Sequence, residues 1–291
     1  VYRHLGLAGC NIAYMKRFLL LFIITTFAFA TTINVPADYS TIQAGINSAS
    51  NGDTVLVAAG TYIENIFWPD VNGIILIGSG QNTVINGNSN GTVLYMNPQT
   101  AEIDSTTIIK NLKVTNGNDT NGGGLFFSNC EPYIDNIIVD QNSATYGAGI
   151  YLSGNYSPLI NNVIITNNNA NDDGGGLYIT NYSQPRITNS DISNNYASND
   201  GAAVYINDHS SVMFDSLTID ENMSSDRNLI YIHNANSQTM KNLFVRDNQV
   251  NKCFDINVDN DYVIEIENSI LAFSIKSSES YSVYTINQTN T

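Results

Sequence analysis

The chain has 291 residues, with 11 Lys and Arg against 26 Asp and Glu, a formal net charge of −15 and 43 asparagines. Its charged fraction of 13% excludes a long charged helix or coiled coil, and 43% apolar residues with 17 Tyr and 11 Phe exclude a disordered acidic tail. An acidic chain without a basic stripe repels phosphate, which argues against a nucleic-acid partner.

Met15 opens a short basic stretch, Lys16-Arg17, followed by an apolar run over 18–29 that ends in Ala28-Phe29-Ala30. A positive start, an apolar centre and a small-x-small exit describe a secretion signal. The run is also shorter than the about 20 apolar residues of a membrane span. The expected organisation is therefore an upstream, non-native segment (1–14), a signal peptide (15–30) and one domain (31–291) without a membrane span. Removing 1–30 takes away Arg3, Lys16 and Arg17, leaving 8 basic and 26 acidic residues, net −18. Secretion or cell-surface display of a monomer is the expectation. Cys130 and Cys253 are too few and too distant for a disulfide framework and read as small apolar residues. No Cys/His cluster supports zinc.

Beyond the leader, Tyr39, Ile42 and Ile46 recur at spacings of three and four, as in a short amphipathic helix ending near Asn51-Gly52. We read it as an N-terminal cap. Segments 54–58, 61–66, 74–77, 83–85 and 93–96 then read as early, less regular strands. From residue 111 a repeat takes over. One column, Asn111, Asn136, Asn162, Asn189, Ser216, Asn242 and Asn268, has spacings of 25, 26, 27, 27, 26 and 26. A second column reads Gly117, Asn142, Asn168, Asn195, Asn222 and Asn248. Two residues before the first column stand Ile109, Ile134, Ile160, Ile187, Phe214, Met240 and Ile266. The segments alternate with period two, so they are strands, and a fixed 26-residue period leaves no room for crossover helices.

The expected fold is all-β: a right-handed parallel β-helix, a solenoid of about 26 residues per rung with a short N-terminal capping helix. Stacked Asn amides would bridge successive rungs, and glycines such as Gly147, Gly174 and Gly201 would supply positive φ at the bends. No cap is evident at the other end. Residues 272–291 still read as strand and turn, so the natural chain is expected to continue past Thr291.

These residues resemble the secreted parallel β-helix proteins of the pectate-lyase-like superfamily. Residues 33–66 are similar to that superfamily's opening segment, with Ile33-Asn-Val-Pro, Tyr39-Ser-Thr-Ile-Gln, Gly52-Asp-Thr-Val-Leu-Val and Gly60-Thr-Tyr-Ile-Glu-Asn. From 108 to 270 the [Ile/Val]-x-x-Asn and Gly-Gly-[Gly/Ala]-[Leu/Ile] pieces resemble repeats of polymorphic outer-membrane protein passengers. The resemblance implies the fold; one scaffold hosts enzymes, adhesins and structural proteins. Gly60-Thr-Tyr-Ile-Glu-Asn is similar to an early element of pectin methylesterases, but their downstream Asp, Gln and Arg motifs are missing. Of the polygalacturonase motifs only Asp172-Asp173 matches, and neither His209 nor His233 is flanked by Gly.

Two sets of residues are candidates for function. Asp173, Asp200 and Asp226 fall at equivalent places on three successive rungs, with Asp172 and Arg227 beside them. Asp172, Asp173, Asp200 and Asp226 could hold Ca²⁺, which takes several oxygen ligands, while Arg227 approaches an acidic sugar. The plain alternative is that Asp is common in exposed turns. The second set is an outward aromatic column, Phe126, Tyr151, Tyr178, Tyr205 and Tyr231, which could stack on the sugar faces of an extended polymer. The leading expectation is a β-helix binding or display module that contacts polysaccharide or glycan through these tyrosines, with no cofactor required. The alternatives are a lyase or hydrolase of acidic polysaccharide, with Asp173, Asp200, Asp226 and Arg227 as catalytic residues, and a purely structural stalk.

Overall fold

The computed structural model describes residues 30–225, 227–257, 264–275 and 281–286. The upstream segment and nearly all of the expected signal peptide lie outside these residues, as does Asp226. The chain is a parallel β-helix of about 9 turns with about 26 residues per rung. One rung runs through Leu159–Asn161, Ile164–Thr166, Asn169–Ala170 and Leu177–Thr180. The next lies directly on it, so that Ile160 faces Ile187, Ile165 faces Ile192, Ala170 faces Ala197 and Tyr178 faces Tyr205. Because the register is preserved, like side chains stack on like, and each inward column becomes a column of core. Ile109, Ile134, Ile160, Ile187, Phe214 and Met240 are all buried. Each such side chain contributes about 1.5–3 kcal/mol by leaving water.

Asparagine does two separate jobs at the bends. The first Asn column takes the left-handed conformation itself: φ is 59° at Asn111, 50° at Asn136, 53° at Asn162 and 50° at Asn189. The expected glycines also supply positive φ, so asparagine and glycine share that conformation. Glycine does so at a different bend, where Gly147, Gly174 and Gly201 have φ of 61°, 69° and 67°. Asn tolerates this region better than other residues with a Cβ, which explains its recurrence there. The second column is the buried amide ladder. Asn168 Oδ1 accepts the Asn142 backbone N–H at 3.0 Å and its Nδ2 at 3.0 Å, and Asn195 Oδ1 does the same for Asn168 at 3.1 and 2.9 Å. Asn222 and Asn248 continue the pattern. Each Nδ2 also reaches a core-strand carbonyl, as Asn195 does to Ile165 O at 2.9 Å.

The N-terminal cap is the helix Ile42–Ser48, entered through Thr41, whose hydroxyl accepts the Ala44 N–H at 3.2 Å. Ile42 and Ile46 are buried against the first rung, whereas Tyr39 lies outside the helix and is 39% exposed, contrary to its expected place on the buried stripe. Glu64 lends its carboxylate to the helix start, accepting the Ile42 and Gln43 N–H groups at 2.9 Å each. In the motif similar to pectin methylesterases, this glutamate therefore serves the cap. Gln43 in turn accepts the Phe67 N–H at 2.7 Å and donates to the Phe67 carbonyl at 2.9 Å, closing one edge of a sheet. At the far end Ser269–Ile275 pairs antiparallel with Tyr281–Ile286, so the described parts of the segment expected as strand and turn form strand. Cys130 and Cys253 are buried free thiols, pushed up to about 12 by burial, as small apolar residues would be. Among the described residues no helix is long and apolar enough to cross a membrane.

Candidate functional site: an aromatic ladder beside a buried acid pair

One face of the solenoid is an eight-stranded sheet formed by Ile66–Phe67, Leu94–Met96, Leu125–Ser128, Ile150–Ser153, Leu177–Thr180, Val204–Ile206, Asn228–His233 and Lys252–Asn257. Strand alternation sends Leu125, Phe127, Ile150, Leu152, Leu177 and Ile179 into the core and the intervening aromatics outward. Phe126, Tyr151, Tyr178, Tyr205 and Tyr231 stand in register, as the sequence indicated. Two further rings extend the column towards the N-terminus, Tyr95 and Phe67. Their signal was present as the inward-aromatic-inward triplet Leu94-Tyr95-Met96, but Tyr95 precedes Phe126 by 31 residues and so breaks the period.

The rings stack on one another. From Tyr95 to Tyr205 the centroids are 4.6, 5.3, 5.2 and 4.7 Å apart, with planes within 9° of parallel. Tyr205 and Tyr231 are 5.0 Å apart at 29°, and Phe67 tilts by 49° against Tyr95. With the faces turned towards neighbouring rings, the ladder offers solvent mainly ring edges and hydroxyls rather than a flat platform. The rings from Tyr95 to Tyr231 are half-buried, and burial raises the phenols of Tyr151, Tyr178, Tyr205 and Tyr231 above their ordinary value. They therefore remain protonated, able both to donate and to accept. Tyr178 Oη accepts from Asn207 Nδ2 at 3.1 Å, and Tyr95 Oη accepts from Asn97 Nδ2 at 3.3 Å. His233 stacks on Tyr231 and His209 on Tyr182, both outside the ladder's own column.

Along one margin of the ladder lie the predicted carboxylates. Asp173 and Asp200 occupy equivalent places, since the Gly147 and Gly174 N–H groups donate to their carbonyls at 3.0 Å each. Both side chains are buried, at 8% and 6% exposure, and not in the exposed turns of the plain alternative. Asp173 Oδ1 accepts the Asp200 N–H at 2.9 Å and Asn199 Nδ2 at 3.0 Å. Burial nevertheless raises Asp173 to about 6, helped by the charges of Asp172 and Asp200. Asp200 is raised too, chiefly by burial, while Arg227 opposes the shift. Arg227 Nη1 stands 3.5 Å from Asp200 Oδ2, and Asn228 Nδ2 bridges Asp200 Oδ1 at 2.8 Å and Asp255 Oδ2 at 3.2 Å. Lys252 Nζ completes the chain at 2.9 Å from Asp255. Asp172 sits beside Tyr146, whose hydroxyl it raises through a hydrogen bond, and the Tyr146 ring tilts against Tyr178 at 5.5 Å.

The structure thus unites Asp172, Asp173, Asp200 and Arg227 along the ladder, and adds Asp255, Lys252, Asn228 and Tyr146, which the sequence reading missed. Asp255 could have been found as the residue in register after Tyr231. Arg227, Asn228, Asn251, Lys252 and Asp255 line a shallow depression of about 270 Å³ at this margin. A groove of about 540 Å³, lined by Pro98, Gln99, Thr100, Glu102, Asn129 and Tyr156, follows the exits of the early ladder strands. Among the described residues, which do not include Asp226, no group of three or more His, Cys, Asp and Glu could hold a metal ion. Asp173 and Asp200 already accept N–H donors.

No protein-family profile and no curated protein matches the chain. Among solved structures, the rice weevil pectin methyl esterase is 14% identical, over 75% of this chain and 88% of its own, with a TM-score of 0.40. The pectin methylesterase from Yersinia enterocolitica is 12% identical, over 85% of this chain and 86% of its own, with a TM-score of 0.34. Likeness at that level assigns no activity, so the architecture of this chain rests on its own strand register.

Proposed function

We propose that the chain is a secreted or cell-surface binding module that holds a polysaccharide or glycan along its aromatic ladder. The observation that carries this reading is the single column of rings from Phe67 to Tyr231, its phenol hydroxyls in register and bordered by amide and carboxylate groups. The row of hydroxyls that repeats at each rung from Tyr151 to Tyr231, about 4.8 Å apart, suits a ligand that repeats along its own length. The hydroxyls and the Asn97 and Asn207 amides supply direction. A glycan array tests the reading. The wild type should retain a small group of linear glycans, and Tyr178→Ala or Tyr205→Ala should weaken binding about tenfold, the value of an aromatic contact of about 1.4 kcal/mol. Tyr205→Phe should fall between them, because it keeps the ring and loses the hydroxyl. Equal signals from all four proteins would remove the ladder from the binding surface.

Catalysis is a second reading, favoured by one observation: the buried pair Asp173 and Asp200, one of them raised to about 6. Carboxylates on successive rungs stand about 5 Å apart, near the separation of about 5–5.5 Å used by retaining glycosidases. Asp173, raised to about 6, would hold a proton below about that pH as general acid, and Asp200, paired with Arg227, would be the second carboxylate. Reducing-end release from a panel of polysaccharides, abolished in Asp173→Asn, would establish the hydrolase; no release from any member would leave binding alone.

A further inference from the structure

The charges bordering the ladder restrict what can lie on it. Asp172, Asp173 and Asp200 line one margin, Asp255 stands in register after Tyr231, and Asp208 is close enough to Tyr151 to raise its hydroxyl. The two cations on the same margin are already engaged, Arg227 with Asp200 at 3.5 Å and Lys252 with Asp255 at 2.9 Å. Five carboxylates against two paired cations leave the face negative, on a chain whose net charge is −15. A polyuronate laid there would set like charge against like along its whole length, which costs affinity and slows encounter.

Building on the ladder reading above, we infer that the preferred ligand is a cationic amino-sugar polymer, a linear β-linked chain bearing free ammonium groups. One unit of such an extended chain advances by about the height of one rung, so hydroxyls meet the phenols in series while every second ammonium group falls beside the acid margin. The half-buried Asp172 and Asp255 carboxylates reach the surface of that margin, while the buried Asp173 and Asp200 add to its negative field from beneath. The sugar ring supplies what the hydroxyl row needs, and the amine supplies what the margin needs. A neutral polymer satisfies only the first requirement, and a basic peptide only the second.

Titration calorimetry on the full chain separates these possibilities with four probes of equal length: a glucosamine hexamer, an N-acetylglucosamine hexamer, a galacturonate hexamer and hexalysine. The glucosamine hexamer should bind about tenfold more tightly than its N-acetyl counterpart, the gain expected of a few partly exposed charge pairs. Galacturonate should bind least. Asp255→Asn, at a half-buried position, and Asp172→Asn should each lower the ratio of glucosamine to N-acetylglucosamine affinity. Equal affinity for the two glucosamine-based hexamers would overturn the inference and leave the ladder reading standing. Hexalysine binding as tightly as the glucosamine hexamer would also overturn it, since charge alone would then decide. Binding by none of the sugars would overturn the inference and the ladder reading together.

Discussion

Asp173 concentrates the chemistry of the margin in a single side chain. Its carboxyl is 8% exposed and raised from an ordinary 3.8 to about 6 by burial, against the pull of the Asp200 N–H and the Asn199 amide. Between those values the folded chain binds the proton and the unfolded chain releases it. Stability from this group is therefore full below pH 3.8 and lost as pH rises through about 6. Asp173→Asn keeps the volume and an acceptor oxygen but removes the charge. At about pH 8 it should stabilise the protein by on the order of 1–3 kcal/mol, with the difference vanishing at about pH 3.5. Thermal melts of both proteins across that range check this; a gap independent of pH would mean that packing and not ionisation sets it. Asp53 behaves oppositely: the Thr31 and Ser50 N–H groups hold it below its ordinary value, so its contribution is lost as pH falls.

At the scale of the element, the bend between strands is where asparagine earns its frequency. Asn189 and Asn195 lie in one rung and look interchangeable in the sequence, yet one is exposed with φ of 50° and the other is 1% exposed inside the amide ladder. Asn195→Ala would strand the Asn168 N–H and take the side-chain donor from the Ile165 carbonyl and from Asn222 Oδ1, which keeps only the residue 195 N–H. The expected loss is about 2–4 kcal/mol, since each buried unsatisfied group costs about 1–3 kcal/mol. Asn189→Gly should be nearly neutral, because glycine accepts the same backbone conformation. Chemical denaturation of both variants distinguishes the two columns; equal losses would contradict the division of labour. Periodicity made both columns visible, because stacking demands like residues at like positions. It could not say which column faced inward, because Asn is polar in either place and only the hydrogen-bond partners differ.

Across the whole molecule, each rung touches only its neighbours, so the fold was legible from residue 111 onward wherever inward Ile, Leu and Val recurred every 26 residues or so. Ahead of it, irregular spacing hid Tyr95 and Phe67, which belong to the same ladder. The site was legible as columns but not as contacts. Tyr178 and Asp173 could be placed on neighbouring columns, while the face-to-face stacking of the rings and the burial of the acids depend on how neighbouring rungs and corners close over them. Asp255 went unnoticed because a carboxylate replaces the aromatic at that rung of the column.

The Gln43 side chain hydrogen-bonds both the N–H and the C=O of Phe67, as one residue of a neighbouring strand would. Phe67 is 62% exposed and begins a sheet whose outer face is aromatic. An open edge on such a sheet is a template for self-assembly. That one amide therefore guards the solenoid against fibre growth, and Gln43→Ala would free a seed for joining chain to chain.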